Sequence, residues 1–168
     1  MMESIKQQVE MLLEQEPQLL SGAMAKRLGV SEFEVVAALP KQMVGVTSGD
    51  QAQSILEGLV GFGPVTTIVQ SFGSIFEVMA PFPKGKVAHG YYNLMGKNGE
   101  LHGHLNLENV KNVALVSRIS KGRESHYFGF FSECGSNIFK IYLGRDKKRE
   151  LIKEQVTAFR AMQAKLNK

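Results

Sequence analysis

With a single cysteine, Cys134, in 168 residues, the chain has no internal disulfide framework and fits a reducing compartment. No apolar run approaches the ~20 residues that a membrane helix needs. The opening MMESIKQQVEMLLEQ lacks the apolar core and small-residue cleavage site of a signal peptide, so a cytoplasmic protein without membrane attachment is expected. No P-loop, Gly-x-Gly-x-x-Gly or Gly-x-Ser-x-Gly signature is present, which removes the commonest phosphate-binding and serine-hydrolase readings. Internal repeats and low-complexity tracts are absent as well.

What is there is ordinary in amount and uneven in placement. Apolar residues make up 43% and charged residues 21%, as in soluble globular proteins. This length suits one domain, or one domain with a small appendage. The charge divides: residues 1–80 hold four basic and nine acidic side chains, residues 81–168 sixteen and seven. The second half is therefore strongly basic, which favours an anionic ligand or partner there.

Residues 1–60 read as a helical subdomain. Ile5, Val9, Leu12 and Leu13 fall at helical spacing and Pro17 ends that helix. A short helix over 21–28 stops at Gly29, and Ser31 with Glu34 makes a capping box for a third, which ends before Pro40. A short strand at Met43–Val46 and a helix over 51–59 capped by Asp50 follow. Residues 61–168 read as antiparallel β-structure with a C-terminal helix. Strands are expected at 65–71, 74–79, 110–119, 126–131 and 137–143, besides a central hairpin. A helix over 153–166 closes the chain, with Val156, Phe159 and Met162 or Gln163 facing inward. Strands joined by tight turns pair antiparallel, and helices segregated at both ends define an α+β fold. The expectation is one large twisted sheet of about seven strands with an N-terminal helical cap.

Residues 19–39 have the outline of a helix-turn-helix. The helix after the turn, EFEVVAA, is acidic and apolar, and acidic groups repel phosphates. A packing unit is expected there, with no nucleic-acid partner.

The richest stretch is Val87–Leu107, VAHGYYNLMGKNGELHGHLNL, which reads as a β-hairpin around Asn98-Gly99. A four-residue loop pairs Met95 with Glu100, sets Tyr91 opposite His104, Asn93 opposite His102 and His89 opposite Asn106. Alternation puts these last six on one polar face, while Tyr92, Leu94, Leu101 and Leu105 share an apolar face suited to a core. A register slip of two would keep the faces. The polar face can hold a metal-bearing ligand. Zinc needs three or four protein ligands, and the face has no Asp or Glu beside His89, His102 and His104. Haem needs less: one axial donor suffices, and tyrosine oxygen is an established axial ligand that suits ferric iron. Lys84, Lys86, Lys97, Arg118, Lys121 and Arg123 lie in the same half for its propionates. Cys134 is a weaker thiolate candidate, and no Cys-x-x-Cys-His is present for covalent attachment. Gly144–Glu150, GRDKKRE, reads as a solvated connection able to meet an anion. An unliganded polar surface stays open as a reading of the whole face.

Several segments resemble the cytosolic haem-utilisation carriers of Gram-negative bacteria, the HutX/ChuX-like family. They are GPVTTIV at 63–69, GYYNL at 90–94, GHL at 103–105, GRES at 122–125, FKIYLGRD at 139–146 and EQV at 154–156. The resemblance implies a helical cap on a large antiparallel sheet and a homodimer. It also implies one haem b bound as cargo per subunit and delivered to a haem-degrading partner. It maps the iron ligand onto Tyr91, with His104 as alternative ligand or hydrogen-bond partner. Some relatives have a histidine where this chain has Gln70, which shifts weight to Tyr91. A haem- or tetrapyrrole-processing enzyme using the same cleft is the rival expectation.

Overall fold

A computed structural model describes residues 3–120 and 122–168. Three helices come first: α1 (Ile5–Gln15), α2 (Ser21–Leu28) and α3 (Glu32–Ala37). Ser4 and Ser31 cap α1 and α3 through reciprocal boxes with Gln7 and Glu34, which satisfies orphan amides at both starts. Gly29 ends α2 in the left-handed conformation, φ 68°. After β1 (Val44–Ser48), a single 3₁₀ turn over Gly49–Gln51 leads into α4 (Ala52–Leu59). The expected cap at Asp50 is displaced to Ser48, whose hydroxyl accepts from the Asp50 amide. The Gly49 amide is still bonded to the Lys111 carbonyl at 2.9 Å, so the turn starts while the chain is held at the sheet.

The rest is β2 (Pro64–Ser71), β3 (Ser74–Pro81), β4 (Gly85–Ala88), β5 (Tyr91–Met95), β6 (His102–Leu105), β7 (Asn112–Ser120), β8 (Arg123–Phe131), β9 (Asn137–Leu143) and α5 (Lys153–Leu166). A six-stranded antiparallel sheet runs β1-β7-β8-β9-β2-β3, and β4-β5-β6 form a second, three-stranded sheet. The α+β class and the large antiparallel sheet hold. Among the described residues the strands number nine in two sheets instead of about seven in one, because the central stretch turns twice.

Both faces of the large sheet are covered except at the β3 edge. On one, α4, α5 and the small sheet enclose Leu56, Leu59, Phe128, Phe130 and Phe159. On the other, α1–α3 close over Val9, Met24, Val35, Val36 and Phe131. This explains the unbroken apolar run of β7: Val113 and Leu115 enter the first core, Ala114 and Val116 the second. The inner face of α5 carries Phe159 and Gln163 as expected and adds Gln155. Gln155, Phe159 and Gln163 are buried, while Val156 and Met162 pack at its margins. The glutamines go in because they have backbone to bind: Gln163 Nε2 donates to the Leu115 carbonyl at 3.0 Å.

Candidate functional site

Two turns build the small sheet. Ala88 pairs with Tyr91 across His89-Gly90, at φ 55° and 77°. Positive φ at both positions is the type I′ hairpin turn. His89 therefore sits in a turn and leaves the strand face assigned to it. The second turn centres on Asn98-Gly99 as expected, at φ 53° and 85°, with the Glu100 amide donating to the Lys97 carbonyl. The ladder, however, resumes at Met95↔His102, so the loop spans six residues. Leu101 packs against the core instead of continuing the ladder, and this moves the register by two. The faces survive and the partners change: His104 lies opposite Asn93, and Tyr91 is its diagonal neighbour.

The outer face carries Lys86, Asn93 and His104 in one row across the three strands. Ala88 and Tyr91 form the row beside it, with Met95 and His102 on the far side. Tyr91 is 45% exposed, and its ring meets that of His104 edge-on, with centroids 5.8 Å apart. The inner face is apolar as predicted, with Tyr92 and Leu94 buried in the core. A Cβ on Gly85 would lie 2.2 Å from Tyr92 Cζ, so β4 crosses that ring only because residue 85 is glycine.

Asn93 ties the site together, a role the sequence does not reveal. Its Nδ2 donates to the carbonyls of Lys86, Ala88 and Tyr91 at 3.1, 3.0 and 3.2 Å. Its Oδ1 lies 2.5 Å from His104 Nδ1. Alternation places Asn93 on the polar face, but nothing in the sequence shows that it grips both neighbouring strands.

A cleft of about 620 Å³ opens beside His104, lined by Leu105, Lys111, Cys134 and Phe139 among others. Hydrogen bonds from the Ser132 and Ser136 hydroxyls lower the exposed Cys134 thiol to about 7. Of the basic residues expected to meet propionates, Lys86 stands on the outer face. Arg118 does not: it is buried under the helical cap, donating to the Pro17 and Leu19 carbonyls at 3.1 and 3.0 Å. Arg123 lines a separate cleft of about 450 Å³ with Arg145 and Arg149. Lys121 lies outside the described residues. In GRDKKRE, Asp146 Oδ1 accepts from the Lys148 and Glu150 amides at 2.8 and 3.0 Å and folds the segment into a turn. The helix-turn-helix outline is a packing unit: Val35 and Val36 are buried, and Glu32 pairs with Lys140 at 2.5 Å.

Among the described residues no group of three or more His, Cys, Asp or Glu is arranged to hold a metal ion. No described helix is long and apolar enough to cross a membrane. With this fold and site, the chain belongs to the haem utilisation ChuX/HutX family, whose model matches residues 46–162. It is 67% identical over 162 residues to the intracellular heme transport protein HutX of Vibrio cholerae, covering 96% of this chain and 84% of that one. A solved structure of the heme binding protein ChuX superposes with a TM-score of 0.87 at 33% identity, covering 98% of this chain and all of that one. The heme degrading enzyme ChuS of Escherichia coli O157:H7 shares the fold at 18% identity, with a TM-score of 0.77 over 94% of this chain and 46% of that one.

Proposed function

We propose that the protein is an intracellular haem carrier that holds ferric haem through Tyr91 and passes it to a haem-degrading partner. The observation that carries this is the exposed Tyr91 phenol beside His104 on one polar face of the small sheet. A deprotonated tyrosine oxygen is a hard anionic donor matched to Fe(III), and a bound cation favours that deprotonated form. Lys86, on the same face, supplies positive charge for a carboxylate of the cargo. The face is open to solvent, so cargo can be taken and released without disturbing the core. The names of the HutX and ChuX relatives, a heme transport protein and a heme binding protein, agree with this reading. The cytoplasm is the compartment that the unpaired, exposed Cys134 suits.

The carrier works as a homodimer. In support, β3 is an edge strand on which Ile75, Phe76 and Met79 are 59%, 62% and 81% exposed, and the turn before it carries a fully exposed Phe72 at φ 47°. Such an open apolar edge is a surface that proteins cover. A second copy would cover it, and ChuS, which shares the fold over 46% of its own length, is long enough to hold two such units.

Hemin titration followed by absorption tests the carrier. Tyr91→Phe should remove the tyrosinate-to-iron charge-transfer bands and weaken binding at least about tenfold, roughly 1.4 kcal/mol. Unchanged bands and affinity would refute the ligand assignment. Incubating the complex with a reductant and oxygen should give no cleaved tetrapyrrole; product formation would make the protein an enzyme.

A further inference from the structure

Asn93 decides which nitrogen of His104 is free. One end of its amide lies 3.0–3.2 Å from three carbonyl oxygens. Carbonyls only accept, so that end is the NH₂ group, and two hydrogens are shared among three acceptors. The other end, Oδ1, only accepts, and it faces His104 Nδ1 at 2.5 Å. Nδ1 must therefore carry the ring proton. In a neutral imidazole this leaves a bare lone pair on Nε2, the nitrogen that makes no hydrogen bond among the described residues.

We infer that Asn93 is a positioning residue that holds His104 as an Nε2 donor beside Tyr91, and that His104 takes over the haem iron from Tyr91 when the iron is reduced. The inference rests on the reading of Tyr91 as the ferric ligand. A phenolate is a hard anion and favours Fe(III); Fe(II) carries one positive charge less and suits a neutral imidazole. One electron from an added one-electron reductant goes to the iron. The bond from iron to Tyr91 Oη breaks and that oxygen takes a proton from solvent. The bond from iron to His104 Nε2 forms, while the proton stays on Nδ1, donated to Asn93 Oδ1. A metal-bound histidine whose other N–H is donated to a fixed acceptor is the usual second-sphere arrangement, and it raises the ligand's basicity. The two rings are already neighbours on one face, 5.8 Å between centroids. The other soft donors on the face, His102 and Met95, lie beyond Asn93 and His104 from Tyr91, so they are the rivals to test.

The full chain loaded with hemin is reduced with dithionite without oxygen and followed by resonance Raman. The wild type should show tyrosinate bands when ferric and an iron–histidine stretch when ferrous. His104→Ala should keep the first and lose the second, and Asn93→Ala should move the stretch to lower frequency. Since Asn93→Ala can unfold the small sheet, ¹⁵N NMR of the wild-type apoprotein provides a second measurement: His104 should be the Nδ1–H tautomer. An Nε2–H tautomer overturns the inference. So does a ferrous stretch that persists in His104→Ala, or a ferrous ligand lost in Met95→Leu or His102→Ala instead. If Tyr91→Phe abolishes the ferric bands while His104→Ala keeps the ferrous stretch, the carrier reading stands and this one falls. If Tyr91→Phe leaves the ferric bands unchanged, the Tyr91 reading fails and takes the ligand exchange with it.

Discussion

Replacing Gln155 by methionine should cost more stability than its place on a surface helix suggests. Gln155 is 2% exposed, and its amide makes three short bonds. Oε1 accepts from the Gly144 amide at 2.7 Å, and Nε2 donates to the carbonyls of Phe62 and Pro64 at 2.8 and 2.7 Å. These groups lie where β9 and β2 part, just past the Val65↔Leu143 pair. They cannot turn elsewhere: a Cβ on Gly144 would sit 1.9 Å from the Pro64 oxygen, so the two backbones are already in contact. Methionine copies the unbranched shape of glutamine and supplies neither donor nor comparable acceptor. Each buried backbone group left without a partner costs about 1–3 kcal/mol. The Gly144 amide takes the full cost. The two carbonyls take less, since they lie in partly buried surroundings and keep contact with the strand end. The extra apolar surface of methionine returns roughly 1 kcal/mol. The net loss is about 2–4 kcal/mol. In urea, at a slope of about 1–3 kcal/mol/M, the midpoint should fall by roughly 1–2 M with the slope unchanged. Haem binding by the folded fraction should stay the same, because the hydrogen bonds of Gln155 go to Phe62, Pro64 and Gly144, outside the small sheet. A midpoint shift under ~0.3 M would show that the three bonds are not what closes this corner.

Three further outcomes are expected. His126 is buried between Ser117 and Glu124, and burial holds its imidazole below the ordinary value against the pull of Glu124. The folded ring is neutral while the unfolded one protonates near about 6.5, so stability is complete above that pH and is lost as pH falls toward the folded value. The urea midpoint should drop between neutral and mildly acid pH, and His126→Gln should flatten that dependence; an equal slope in the variant would contradict it. The Cys134 thiol, lowered to about 7, should react with iodoacetamide with a midpoint near that pH, and Ser132→Ala should move the midpoint upward. Gly85→Ala should destabilise by about 1–3 kcal/mol through collision with the Tyr92 ring, and Tyr92→Leu in the same chain should recover part of the loss on urea denaturation.

The legible parts of the fold are those written in local chemistry. Ser31 with Glu34, Gly29, the Asn98-Gly99 turn and the breaks at Pro17 and Pro40 each act within a few residues, and each stands where expected. The small sheet's two faces were legible because alternation is insensitive to a register slip of two. What was not legible depends on distant partners. His89-Gly90 lacks the Asn-Gly or Asp-Gly signature of a tight turn, so VAHGYY reads as continuous strand, although histidine tolerates positive φ better than most residues. The slip at Leu101 comes from a core that its side chain joins only in the folded molecule. Gln155 looks like the polar side of α5 until the carbonyls it serves are in place. Arg118 looks available for an anion until the helical cap lies over it.

The strand β5 explains how one short segment serves both binding and folding. Its even positions, Tyr92 and Leu94, are locked in the core; its odd positions, Tyr91, Asn93 and Met95, face outward. Fixing the inner set therefore fixes which way the outer set faces. Asn93 extends that order sideways, by gripping the backbone of β4 on one side and the His104 ring on the other. On the proposed reading, Tyr91 and His104 are then preorganised on an open surface, where a cargo can arrive and leave without the core opening.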